Sequence, residues 1–321
     1  MNYRTLTARE AAEIILGVKN PTVVMHRRPD GDTAGSASAL LNIFSALGKD
    51  ANYACADPVP ERLRFLIDEN KETTCFDGRE VITIDVATLD QLGELKDKIG
   101  QPILMIDHHA VGTRFADGYV LPDASSAAEV LMSIIDELID MGKITLTKEL
   151  AYPLYASMSS DTGGFIYSNA SATTYRRAAR LIECGIDSAD INHRLFNTKS
   201  EKQIKAEGYI ASVMRTALDG RLAYATLSKR ERDELCIGSE YFETAIDVVR
   251  SLLGAEIALF VRENDDGSIR ASLRSTGANV ASIAARFNGG GHIRAAGCSP
   301  DAKTPEDAAK MIIEEIINNK I

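Results

Sequence analysis

The first half of the chain alternates short apolar runs with segments whose apolar positions recur at helical spacing. Residues 22–25 (Thr-Val-Val-Met), 51–54, 81–84 (Val-Ile-Thr-Ile) and 103–106 (Ile-Leu-Met-Ile) read as four short buried strands. Helical patterns at 36–47, stopping at Gly48, and at 89–99 fall between them. Strands that alternate with helices need crossover connections, so the pattern predicts a mainly parallel sheet flanked by helices. Ahead of it, Thr7 and Glu10 read as a capping box that opens a first helix. From 125 to about 205 the pattern is helical throughout, with breaks at Gly142, at the pair Gly163 and Gly164, and at Gly185.

The texture changes near Leu222. Residues 222–227 read as a strand, and 256–262 with 269–273 as a hairpin across Asn264, Asp265, Asp266 and Gly267, a strong turn signal. Helical segments at 241–253 and 305–318 flank them. The predicted fold class is therefore α/β, with an N-terminal domain over 1–196 and a smaller C-terminal α/β domain over 220–321. The charged stretch from Asn197 lacks Pro and Gly until Gly208 and reads as a helical connector over 197–219. At 321 residues there is chain enough for each domain to bury its own core.

Composition narrows the partners. Hydrophobic residues at 45% and charged residues at 26% exclude a wholly disordered chain. No apolar run approaches the roughly 18 residues of a membrane span. The N-terminal segment carries Arg4, Arg9 and Glu10 without an apolar stretch, so no secretory signal and no membrane partner is expected, and the expected location is the cytoplasm. A net charge of -10 disfavours a long duplex as main substrate, although a local pocket can still hold a few phosphates. The 5 cysteines are scattered and fit reduced thiols better than disulfides or a zinc knot. With no Trp and 6% aromatics there is little material for a base-stacking platform.

Four short motifs share one kind of placement. His26, Asp30 and Asp32 follow the first strand in His-Arg-Arg-Pro-Asp-Gly-Asp; Asp85 ends the third; Asp107, His108 and His109 end the fourth; Asp161 opens Asp-Thr-Gly-Gly in a helical break. Open α/β sheets bind ligands at the carboxyl ends of their strands. Taken singly, each motif is also an ordinary turn or helix cap. Jointly they are not, because three of only 5 histidines fall beside aspartates at strand ends. His26, Asp30, Asp32, Asp85, His108 and Asp161 supply carboxylates and imidazoles of the kind a two-metal phosphoryl-transfer site needs. Without metal, that many aspartates in one cleft would repel or be protonated.

These motifs, in this order, resemble the DHH phosphoesterase superfamily. Asn288, Gly289, Gly290, Gly291, His292, Ala295, Ala296 and Gly297 are similar to the glycine-rich signature of the DHH-associated domain. The two-domain length most resembles the bacterial nanoRNase/pAp phosphatase branch, which hydrolyses short oligoribonucleotides and 3'-phosphoadenosine 5'-phosphate (pAp), usually with manganese. By that resemblance His26, Asp30 and Asp85 would hold one metal. Asp32, Asp85, His108 and Asp161 would hold the other, with Asp85 bridging. His109 would face the scissile phosphate or orient a ligand, and Asp107 would fix a histidine tautomer. The implied cofactors are two divalent cations, Mn2+ foremost, and the implied active site lies in the cleft between the domains.

Three consecutive glycines (Gly289, Gly290 and Gly291) also have a reading of their own: a nest of backbone N–H groups that holds an anion, or a tight turn that needs positive φ. Beside the first-half motifs the phosphate reading is preferred, with His292 and Arg274 gripping a terminal phosphate. His193 reads as structural; Arg27 and Arg28 are left as substrate contacts or solvated side chains. Asn288 stands where the family has a fourth glycine, and Ile166 where the branch often has an arginine. The expected function is hydrolysis of short RNA or nucleotide phosphates, with cyclic-dinucleotide or pApA cleavage, then pyrophosphate or polyphosphate cleavage, as alternatives. A nucleotide sensor is the non-enzyme rival, and homodimerisation is left open.

Overall fold

The computed structural model describes residues 3–242 and 244–318. The chain forms two compact units, Met1–Thr198 and Lys199–Ile321. The first opens with α1 (Ala8–Gly17), where the Thr7 hydroxyl accepts from the Glu10 amide and the Glu10 carboxylate accepts from the Thr7 amide, the capping box read in the sequence. There follow β1 (Pro21–Val24), α2 (Gly31–Ala46), β2 (Asn52–Ala54), β3 (Glu80–Ile84), β4 (Leu104–Asp107) and β5 (Gly118–Val120). All strand pairs are parallel, in the order β2-β1-β3-β4-β5. The predicted parallel sheet is there, with β5 added at its edge from a run too short to show a period.

Alternate residues of each strand enter opposite layers. Val23, Ile82, Ile84, Leu104 and Ile106 pack with Leu40, Ile43 and Phe44 of α2 and with α3 (Ala127–Asp140) and α4 (Lys148–Asp161). Each such buried Leu, Ile or Phe contributes about 1.5–3 kcal/mol. Val24, Val81 and Met105 face the other way, onto Leu92, Leu95 and Phe115. That second cover is not the helix expected over 89–99. Leu89–Asp97 is a run of tight 3-10 turns kinked at Gly93, whose φ of 59° interrupts the helical ladder.

α2 and α4 approach very closely. A Cβ on Gly35 would lie 2.7 Å from the Pro153 carbonyl oxygen, and one on Gly31 2.3 Å from the Ser160 hydroxyl. Only glycine permits this contact, which brings the start of α2 against the end of α4. α5 (Ala172–Glu183), α6 (Ser188–Asn192) and a π-helical turn (His193–Asn197) complete the unit.

The second unit contains α7 (Glu201–Val213), β6 (Arg215–Ala217), β7 (Leu222–Leu227), α8 (Lys229–Leu235), α9 (Ala245–Arg250), β8 (Ile257–Glu263), β9 (Ile269–Ser275), α10 (Val280–Ala284), β10 (Gly290–His292), β11 (Ala295–Cys298) and α11 (Pro305–Asn318). Its sheet runs β10-β11-β9-β8-β7-β6 and is mixed, with β7 and β8 parallel and the other pairs antiparallel. The β8–β9 hairpin closes where expected, on Gly267 at φ 79°. The segment read as a connector contributes Ala206 and Ile210 of α7 to this unit's core. The helix expected over 241–253 is divided: a 3-10 turn (Ser239–Phe242) buries Phe242, and α9 buries Ile246 and Val249. Among the described residues no helix is long and apolar enough to cross a membrane.

Candidate metal centre

Beyond β1 the chain turns sharply at His26. Its Nδ1 donates to the Arg27 carbonyl at 2.8 Å, which leaves Nε2 facing Asp85 Oδ2 at 3.4 Å and Asp30 Oδ1 at 3.8 Å. Asp30 is the N-cap of α2, accepting from the amides of Asp32 and Thr33 at 3.0 and 3.1 Å. The helix therefore begins five residues before its apolar period becomes visible, and Asp32 sits in its first turn, 2% exposed. Asp32 Oδ1 accepts from Ser157 Oγ (2.5 Å) and Ser36 Oγ (3.2 Å), and Oδ2 accepts from the Ala127 amide (2.9 Å). The carboxylate is thus held on three sides.

Asp85 follows β3 in the left-handed conformation, φ 58°, uncommon for a residue with a side chain. It is 3% exposed, and its Oδ1 has no hydrogen-bond partner. That oxygen lies 3.5 Å from His108 Nε2, which is also 3.4 Å from Asp32 Oδ2 and 3.9 Å from Asp161 Oδ2. His108 turns Nε2 inward because Nδ1 donates to the Ala124 carbonyl at 3.3 Å. The next ring is used differently: His109 Nδ1 donates to Asp107 Oδ1 at 2.7 Å. Asp161 is the last residue of α4, and the break expected at Gly163 and Gly164, both left-handed, follows it directly. Asn169 Nδ2 lies 3.4 Å from its Oδ2.

Ligand atoms of three groups thus lie within 4.8 Å of one another: His26, Asp30 and Asp85; Asp32, His108 and Asp161; and Asp85, His108 and His109. The electrostatics follow from crowding. Burial, the neighbouring Asp85 charge and those of Asp161 and Asp30 raise Asp32, with His108 opposing. Burial raises Asp161 to about 6. Burial also acts against the charged forms of His26 and His108. Their carboxylate partners, Asp30 and Asp85 for His26 and Asp85, Asp32 and Asp161 for His108, outweigh it and raise them to about 11 and about 10. Burial would raise Asp85 too, but the His108 and His26 imidazoles beside it hold it low. For His109 the hydrogen bond to Asp107 is the largest influence, and it raises the ring.

Hard oxygens, inward-facing imidazole nitrogens and a buried carboxylate oxygen without a donor suit divalent cations. None of these groups is a thiol. Cys55, the neighbouring cysteine, directs its thiol to the His26 carbonyl at 3.2 Å. Ser36, Ser157, Ala127 and Asn169 carry no signal in the sequence, since small polar residues are common everywhere and only the tertiary contacts single these out.

The glycine segment departs from the expected nest. Gly290 and Gly291 lie in edge strand β10, paired antiparallel with β11, and the hairpin turns beyond His292. A Cβ on Gly289 would lie 2.2 Å from the Gly297 carbonyl oxygen; Gly291 has φ 139°, and its Cβ would lie 2.6 Å from the Ala295 carbonyl oxygen. Close strand approach, not a loop, is what these glycines permit. The register sets Arg274, Ala295 and His292 in one row across the sheet. The side chain of His292 lies outside the described residues. Asn288 is left-handed, φ 55°, and Ile166 is exposed. Arg27 and Arg28 are exposed, Arg28 left-handed with its amide donating to Asp57 Oδ2 at 3.0 Å, and His193 starts the π-helical turn.

Comparison with known proteins matches residues 21–158 to the DHH family, N-terminal domain, and residues 237–319 to the DHHA1 domain. The chain is 29% identical to the bifunctional oligoribonuclease and PAP phosphatase NrnA of Thermus thermophilus, over 96% of this chain and 93% of that one. The protein of the same name from Bacillus subtilis is also 29% identical, over 87% and 89%. Among solved structures, an exopolyphosphatase-related protein from Bacteroides fragilis superposes with a TM-score of 0.86 at 26% identity, covering 97% of this chain and 96% of that one.

Proposed function

That this chain belongs to the DHH family is the premise from which we propose its function: a metal-dependent phosphoesterase that hydrolyses short oligoribonucleotides and pAp. The observation that carries the reading is Asp85. A buried carboxylate oxygen with no donor, flanked by two imidazoles and set on a left-handed backbone, is costly unless a cation completes it.

His26, Asp30 and Asp85 would hold one divalent cation and Asp32, Asp85, His108 and Asp161 a second, with Asp85 shared and Mn2+ the expected ion. A bound pair would supply an acidified water and charge neutralisation at the phosphate. The protein's part is orientation. The Arg27 and Ala124 carbonyls set the tautomers of His26 and His108, and Ser36, Ser157 and the Ala127 amide hold Asp32. His109 donates from Nδ1 to Asp107, which raises the ring and leaves Nε2 as the atom that would carry a proton to the leaving oxygen.

The domain division 1–196, 197–219 and 220–321 assigns the chemistry to the first segment and substrate holding to the last. Arg274, Gly289, Gly290, Gly291 and His292 take a terminal phosphate in that scheme. The relatives' names and the acidic charge of -10 both favour short substrates.

The test is hydrolysis with Mn2+ across pAp, pApA, cyclic di-AMP, pyrophosphate and RNA of about two to twenty-four nucleotides. Fastest turnover of pAp and the shortest RNAs supports the reading. Fastest turnover of the cyclic dinucleotide or of pyrophosphate replaces it, and no turnover of any of them leaves a sensor.

A further inference from the structure

Glu129 lies in the first turn of α3, 4% exposed, and faces no metal-ligand candidate. Its Oε2 accepts three hydrogen bonds: from the Ser125 amide at 3.1 Å, the Ser125 hydroxyl at 2.5 Å and the Thr174 hydroxyl at 2.8 Å. The first two fold the segment 124–127 back onto the start of α3, and the third ties it to α5.

From its main chain, that segment touches two of the ligand candidates directly and a third through the Asn169 side chain. The Ala124 carbonyl accepts from His108 Nδ1, and the Ala127 amide donates to Asp32 Oδ2. The Ser125 carbonyl accepts from Asn169 Nδ2 at 3.1 Å, and the same nitrogen bonds the Asp161 carbonyl at 3.1 Å and reaches its carboxylate at 3.4 Å. His108, Asp32 and Asp161 are the three unshared residues of one cation position. Among the described residues, His26 and Asp30, which serve the other position, make their side-chain hydrogen bonds with Arg27, Asp32 and Thr33 and not with the segment.

We propose that Glu129 is the positioning residue of the second metal position: through the 124–127 segment it sets where Asp32, His108 and Asp161 stand, and leaves the His26–Asp30 side alone. The inference rests on the reading of these residues as metal ligands. Outer partners of metal ligands are worth about ten- to a hundred-fold in affinity, and Glu129 acts on three ligands at once.

The probe is Mn2+ alone, titrated calorimetrically into the full-length chain, with low-temperature electron paramagnetic resonance reporting the coupled pair. Wild type takes two ions. Glu129→Ala keeps one at wild-type affinity, binds the other about ten- to a hundred-fold more weakly, and loses the coupled signal at limiting Mn2+. Glu129→Gln restores both, because its amide oxygen can take the Ser125 and Thr174 donors. Ser125→Ala, which deletes one hydroxyl and spares the fold, shows a smaller loss at the same position. Two ions at unchanged affinity in Glu129→Ala and Ser125→Ala overturns the inference. So does equal weakening of both ions, which means a merely structural role. A wild type that binds no Mn2+ instead overturns the metal reading beneath it, and this proposal with it.

Discussion

His109 Nδ1 donates a hydrogen bond to Asp107 Oδ1 at 2.7 Å, while the adjacent His108 donates from its own Nδ1 to a main-chain carbonyl. Two neighbouring imidazoles are thereby assigned different work. One turns its Nε2 toward the carboxylates of the cluster, and the other is raised by a carboxylate behind it.

The pH profile should report that difference. The Asp107 hydrogen bond raises His109, so its Nε2 proton persists to higher pH than in a free imidazole. Asp107→Asn removes the raising influence. The alkaline limb of kcat/KM should then move to lower pH, with kcat falling about ten- to a hundred-fold. An unmoved limb would remove His109 from proton transfer.

Asp85 should matter more than Asp30. Asp85→Asn removes an oxygen from the shared position, and turnover should fall on the order of a hundred-fold or more together with Mn2+ content. Asp30→Ala also loses a helix cap, yet should cost activity less, with melting lowered by about 1 kcal/mol of stability. Metal analysis and turnover of both variants check the order.

Metal capture should release protons. His26 and His108, raised to about 11 and about 10, are protonated at neutral pH in the metal-free protein, and an ion must displace those protons to reach Nε2. Because both values lie above the working range, apparent Mn2+ affinity rises with pH throughout it. Titrations at three pH values between about 6 and 9 test the sign. An affinity independent of pH contradicts it.

The α2–α4 contact gives a prediction that starts from packing. Gly35→Ala places a methyl 2.7 Å from the Pro153 carbonyl oxygen, which is backbone and does not rotate away. A loss of about 1–3 kcal/mol is expected from overpacking, read by denaturant melting. Asp32 rides on the same helix, so Mn2+ affinity should fall with it.

Substrate length tests the second unit. If Arg274 grips a terminal phosphate as proposed, Arg274→Ala should lose a charge-assisted contact of about 1.5–3 kcal/mol, or roughly ten- to a hundred-fold in kcat/KM. The preference for two- to four-nucleotide RNA over longer RNA should flatten in this variant. Equal rates on dimers and twenty-four-mers in the wild type would favour a long-strand exonuclease.

Much of this was legible in the residues. The carboxylates and histidines stand at strand ends, and the strands announce themselves by four-residue apolar runs. What supports them does not. Asp30 as cap hides the start of α2, because Gly31 through Gly35 are buried on every side and show no amphipathic period. Gly93 divides a segment whose apolar spacing alone reads as a helix. Three glycines at 289–291 suit an anion nest, a tight turn or a close strand approach alike, and only strand pairing shows the hairpin. Ser157 reaches Asp32 across a separation that no local pattern can report.

The charged cluster collects residues from 26 to 161, from the turns after β1, β3 and β4, the start of α2 and the far end of α4. Such a cluster has no local precursor: no short segment of the chain holds enough of it to bind an ion. Folding must therefore come first and loading second, the reverse of a small zinc module whose ion organises the chain. During synthesis loading cannot be complete before α4 is made, because Asp161 is the last of these residues in the chain. Chelation should accordingly empty the finished protein without unfolding it.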